Sequence, residues 1–279
     1  MNGFISHLRI VFTPFCCCMC LTAIAEENTP DMNTELNAGV EFFRWQEFDS
    51  TGTRLLTESG PRLFVSGTAN SGIDNPDSRF FAEAVVSGYA GNVDYDGQDT
   101  NNIFTSSISE YSGYILEVYG GYRLNGMIDM DIIAGTGINS WTREIRDENN
   151  AEGDLVTGIK EDYMVQYYTL ALGLPQRYAT ANGYLKIGLK RPFNTSEDVD
   201  QFNVKLSPGK ELSGFINYKL TFNANARRRK LISSIMFYYD SFRLSRSKAK
   251  VSVINGNTVQ VRQPESNLDV MGIAIGHVF

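Results

Sequence analysis

Ten ionisable residues, Glu41, Glu83, Glu117, Arg123, Asp129, Asp131, Lys186, Lys190, Lys219 and Asp240, recur on one side of segments in which polar and apolar residues alternate. Alternation with period two is strand periodicity, so each segment has an apolar face and a face that carries charge. Six of the ten are acids and four are bases. If the charged faces enclose a common interior, ionised groups there are costly unless paired. The mixed set therefore predicts a salt-bridge network that plugs the interior, with a gated or very narrow ion path through the same groups as the alternative.

Catalytic chemistry has less to work with. Arg9, the apolar run Ile10 to Leu21 and the A-x-A site Ala23-Ile24-Ala25 read as a secretory signal cut after Ala25. Cys16, Cys17, Cys18 and Cys20 all lie inside it, so the mature chain is expected to have no disulfide, no thiol nucleophile and no cysteine-ligated metal. A lipoprotein with an acylated cysteine is the alternative, but the residues preceding these cysteines are not small. One histidine then remains, His277, two residues from the C-terminus. It reads as a ring standing in for an interfacial aromatic, which leaves a carboxylate-only hydrolase as the enzymatic alternative.

Acids cluster in two connecting stretches, Glu144, Asp147, Glu148, Glu152 and Asp154, then Glu197, Asp198 and Asp200. They could hold calcium, but no EF-hand spacing is present and solvated loop charge is the expectation. Neither a cofactor nor a metal site is expected. Loss of Arg9 takes the formal charge from -7 to -8, and an acidic chain without a basic groove argues against nucleic acid as a partner. The run Arg227-Arg228-Arg229-Lys230 falls in a turn, where it could meet anionic head groups or remain solvated.

The elements that must position these residues are strands. Past the signal no stretch approaches the roughly 20 apolar residues of a membrane helix. After a polar segment, 26–34, ten strands are predicted over residues 35–48, 55–69, 79–95, 111–124, 128–145, 161–174, 183–191, 211–222, 231–245 and 267–279. The connections alternate in length. Short ones surround Asn125-Gly126, Pro175 to Asn182 and Asn223 to Lys230; long polar ones run over 96–110, 146–160, 192–210 and 246–266. The first two connections fit this alternation least well.

Glycine and alanine gather on the charge-bearing face (Gly121, Gly135, Gly137, Ala171, Gly173, Gly188), as crowded inward positions require. Tyr114, Tyr122, Tyr168 and Tyr218 sit near strand ends on the apolar face, as girdle residues do. In the first strand, Phe43 and Trp45 either point inward beside Glu41 or follow a bulge. A three-residue loop after the fourth strand is expected to pair Leu124 with Ile128 and Arg123 with Asp129. A two-residue hairpin would instead put a charge among apolar neighbours.

The last stretch, Ser266 to Phe279, places Met271, Ile273, Ile275, His277 and Phe279 on one face. It resembles the β-signal of bacterial outer-membrane barrels, in which a terminal aromatic closes a strand of alternating apolar residues. His277 departs from the pattern, which usually carries Tyr or Phe there. At the level of architecture the chain resembles small barrels of the OmpA-like and opacity-protein type. The resemblance implies an all-β, closed, antiparallel up-and-down transmembrane barrel of about ten strands (eight or twelve being alternatives) over residues 35–279. It also implies residence in the outer membrane, insertion by the outer-membrane assembly machinery, contact with lipid and lipopolysaccharide, and a monomer. Omptin proteases share the strand number, but likeness to them would require acids and a histidine at the outer mouth. A soluble periplasmic ligand-binding barrel, with the faces inverted, is the remaining alternative.

Overall fold

The computed structural model describes residues 32–73, 78–98, 103–126, 129–222, 232–254 and 256–279. The signal segment 1–25 and the basic run 227–230 lie outside the described residues. Ten long strands form one sheet: β1 Met32–Phe48, β2 Arg54–Ser71, β3 Phe80–Gln98, β4 Phe104–Leu124, β5 Met130–Ile145, β6 Lys160–Arg177, β7 Ala181–Val199, β8 Ser213–Phe222, β9 Ser234–Leu244 and β10 Glu265–Val278. Each pairs antiparallel with its sequence neighbours, and β1 pairs with β10 from Glu35↔Val278 to Phe48↔Glu265, which closes the barrel. Closure removes the free edges that an open ten-stranded sheet would expose.

The apolar faces point outward. Phe42, Leu63, Val118, Leu170, Leu189 and Met271 are all exposed on the outside, while Glu41, Arg62, Asp131 and Lys190 are buried within. A soluble barrel has the reverse arrangement. On the outer wall the apolar belt ends at a polar ring where Asp269 accepts from Arg44 at 2.9 Å, from Arg243 at 2.7 Å and from Tyr239 at 2.7 Å. A strand needs about 9–11 residues to cross a bilayer. β1, β3 and β4 have 17, 19 and 21, so the barrel continues past the belt as a collar whose outer face carries Asn92, Asp94, Glu110, Thr142 and Asp162.

That collar revises the loop expectations. Much of the stretches expected to be long loops over 96–110 and 192–210 continues as strand, because the alternation persists there with polar residues on both faces. Above the collar lie two short hairpins, Glu148–Asn149 with Leu155–Val156 and Lys250–Ile254 with Asn257–Val261, and a strand, Val204–Leu206, added to β7. The β4–β5 connection is also revised. Leu124 pairs with Met130 and Arg123 with Asp131, so the loop is five residues rather than three. A shift of two preserves parity, so every side chain keeps its expected face. In β1, Glu41, Phe43 and Trp45 all point inward without a bulge between them; the register shift lies later, at Glu47/Phe48. Inward glycines receive the rings of other strands: Gly121 lies under Phe81, Gly135 under Tyr119, Gly137 under Tyr167 and Gly188 under Phe215.

Candidate functional site

The lumen has two storeys. Toward the turn end lies a cavity of about 660 Å³, lined among others by Glu35, Ser66, Asn70, Glu83, Lys186 and Lys219, and reaching Asn125 and Asp129 in the β4–β5 turn and Gln176 near the end of β6. Its charges are paired across the interior. Lys186 binds Glu83, Lys219 binds Glu35, and Lys190 bridges Asp240 and Glu117, the latter at 3.2 Å. Arg123 donates through Nε to Asp131 at 3.0 Å and through Nη2 to the Ile73 carbonyl at 2.9 Å. Glu41 accepts from Arg62 Nε at 2.8 Å and from Tyr238 at 2.6 Å. Of the ten residues singled out in the sequence, nine therefore sit in lumen ion pairs. Asp129 lines the cavity mouth, exposed.

Above the cavity the lumen fills with rings. Phe43, Trp45, Tyr89, Val93, Tyr111, Trp141, Tyr163, Val165, Tyr167, Phe242, Leu244, Leu268 and Val270 form one buried cluster. The Arg62 guanidinium lies 4.1 Å from the Phe43 centroid and 4.2 Å from that of Tyr89. Lys190 sits 4.9 Å from Tyr167 and 5.2 Å from Phe242. Cation–π contacts of this kind hold the paired charges against apolar packing instead of water. At collar level Trp141 stacks on Tyr163 with centroids 4.8 Å apart, and Trp45 meets Tyr163 edge-on at 5.5 Å.

Within the collar, beyond the belt, one guanidinium serves several carboxyls. Arg143 donates to Glu58 at 3.0 Å, to Glu161 at 2.6 Å and to Glu47 at 3.2 Å. Glu58 also accepts from Ser109 at 2.6 Å and from Tyr111. Burial opposes the charge on Arg143, but Glu58 and Glu161 more than offset it and hold the guanidinium firmly charged. Burial pushes the Glu47 carboxyl up, against the pull of Arg143. Glu197 is pushed up to about 9 by burial and then by the charges of Glu161 and Glu47. At this end Val199, Val204 and Leu206 form a small buried cluster, with Ile159, Phe202 and Val261 packed against it.

The sequence reading missed Glu35, Arg62, Glu47, Glu58, Arg143 and Glu161, and it placed Glu197 in a solvated loop. Glu197 is instead buried on the lumen face of β7, while Asp198 and Asp200 point out. For Arg143 the signal was available, since parity along the expected strand 128–145 puts it with Asn139; for Glu197 it was not, because the register shift at which Tyr167 pairs with Pro192 and Gln166 with Asn194 resets the parity set by Lys190. Glu144, Asp147, Glu148, Glu152 and Asp154 are outside the lumen; among the described residues no group of three or more His, Cys, Asp or Glu is arranged to hold a metal. His277 contacts Phe279 edge-on at 4.9 Å on the outer face of the turn end, and Met271, Ile273 and Ile275 share that face. Among the described residues, no histidine stands near the collar carboxyls.

No family model and no curated protein matches the chain. Among solved structures, it is similar to the outer membrane protease OmpT from Escherichia coli, at 11% identity and a TM-score of 0.55, over 92% of this chain and 99% of that one. It also matches the β domain of the Bordetella autotransporter BrkA at 12% identity and a TM-score of 0.39, over 88% and 99% of the two chains. The likeness to OmpT shows the fold: the chain is an all-β, closed, antiparallel ten-stranded barrel of the architecture found in bacterial outer-membrane proteins.

Proposed function

We propose that this protein resides in the bacterial outer membrane as a monomeric, sealed barrel whose role is structural or one of surface interaction. The observation that carries the proposal is the plug. Arginine-clamped carboxyls and interleaved rings occupy the collar half of the lumen on every side. The outward apolar belt supports the membrane setting and argues against a soluble ligand-binding barrel. The hydrolase alternative loses ground because the collar carboxyls are buried under packed residues, out of reach of a surface substrate. A narrow pore stays as the second reading, since the cavity already opens half the lumen; on that reading Arg123→Ala or Lys219→Ala would alter conductance.

In this setting the belt contacts lipid, the outer face of the collar meets lipopolysaccharide, the assembly machinery inserts the barrel, and the hairpins at residues 148–156 and 250–261 are presented outside. Cysteines introduced at Asn257 and at Asp129, probed on intact cells with a membrane-impermeant maleimide, test placement and orientation together. Labelling at 257 but not at 129, in a protein with heat-modifiable gel mobility, is the expected result. Recovery in the soluble fraction, or labelling at 129 alone, would refute it.

A further inference from the structure

Two ion pairs cross the turn-end cavity. Lys186 on β7 reaches Glu83 on β3, and Lys219 on β8 reaches Glu35 on β1. In register Lys186 lies opposite Asn217 and Lys219 opposite Tyr184, so the two lysines are diagonal neighbours on one wall. All four side chains line the cavity, and Lys186, Glu83 and Lys219 keep part of their surface open to it.

Their hydrogen-bonding capacity is only partly used. An ammonium has three donors, and each of these lysines gives one hydrogen bond, Lys186 to Glu83 and Lys219 to Glu35. A carboxylate accepts through two oxygens, and among the described residues Glu83 accepts through Oε1 alone. The other acids here are more fully engaged: Glu35 also accepts from Ser234, and Glu117 accepts from Tyr167 at 2.6 Å and from Lys190 at 3.2 Å. Open donors and an open acceptor therefore meet at the Lys186–Glu83 pair, with a second ammonium beside it. Apolar side chains line the same space: Val85, two residues from Glu83 on the same face, Ile115 on β4 and Met236 on β9.

We propose that this chamber binds a small zwitterion with an apolar body, of the α-amino acid class, which enters past the exposed Asn125 and Asp129 at the turn end. The ligand carboxylate accepts from Lys186 and Lys219, its ammonium donates to Glu83 Oε2, and its side chain lies against Val85, Ile115 and Met236. Both existing ion pairs persist, and the charges alternate in sign. A lone anion at Lys186 would stand against Glu83, and a lone cation at Glu83 against Lys186; a ligand that carries both signs at short spacing removes each conflict. A neutral polyol would fill the space but forgo charge-assisted hydrogen bonds, which are about twice as strong as neutral ones. The volume of about 660 Å³ lies within the range of small-molecule sites. The inference goes beyond the sealed-barrel proposal and does not need the seal, which lies in the collar.

Isothermal titration of the refolded full chain with L-leucine and with L-phenylalanine, in micelles of an amine-oxide detergent that carries no sugar, tests the site. Saturable binding of at least one of them at millimolar concentration or below is expected. The corresponding amino acid amide lacks the carboxylate and the N-acetyl derivative lacks the ammonium, and each is expected to bind at least roughly tenfold more weakly. Glu83→Gln and Lys186→Met are expected to weaken binding by a similar factor. Thr68→Phe fills the cavity and removes no charge; it is expected to abolish binding in protein that keeps its heat-modifiable gel mobility. Absence of saturable binding of either amino acid, undiminished binding of the amide or the N-acetyl derivative, tighter binding of trehalose, or unchanged affinity in Thr68→Phe would each overturn the proposal. The ligand series decides the matter on wild type alone if the variants do not fold, and neither result bears on the collar seal, which conductance reads separately.

Discussion

Arg143 shows most clearly what single residues do in this barrel. It is 2% exposed, and its guanidinium meets three carboxyls, one of them, Glu58, fully buried. Removing a buried partner costs more than the pair itself contributes, because the charge left behind has neither water nor a counter-ion. Arg143→Met keeps the volume and removes the charge. It is expected to destabilise the barrel by about 3–5 kcal/mol, measured by reversible urea unfolding in lipid vesicles. Adding Glu58→Gln is expected to recover part of that loss, since the stranded carboxylate is then neutral. A loss in the single variant of under about 1 kcal/mol would mean that the collar cluster is hydrated and the pairing weak.

Individual strands were legible because two periodicities agree: alternation along each strand, and turn chemistry between them. β4 illustrates this. Tyr114, Leu116, Val118 and Leu124 alternate with Ile115, Glu117, Tyr119 and Arg123, and exposure follows that parity. Val118 is 59% exposed near the middle of the belt, so Val118→Arg is expected to cost about 2–4 kcal/mol in the same unfolding assay, while a charge on the polar outer face of the collar, at Ser112, costs little. The β4–β5 register escaped prediction by two residues because turn propensity sets loop length only loosely, whereas the faces survive any even shift. The collar escaped for a different reason. Above the membrane both faces of a strand can be polar, so alternation loses its contrast. Glu197 then looks like its neighbours Asp198 and Asp200 in a solvated acidic run, although its side chain is 1% exposed.

The whole molecule is a barrel filled unevenly. Small inward residues make holes that Phe81, Tyr119, Tyr167 and Phe215 fill, and ion pairs cross what space remains, leaving a chamber at the turn end and a packed collar at the other. Ten strands enclose a narrow lumen, so a single complete layer is enough to seal it. The likeness to OmpT is one of fold alone, and function rests on the groups a fold carries. Steady-state conductance of the refolded protein in a planar bilayer at neutral pH tests the seal most directly. A sealed barrel gives insertion without ohmic steps, and Arg143→Met, by loosening the collar, gives intermittent openings. Stable unitary conductance from wild type in every insertion would contradict the account.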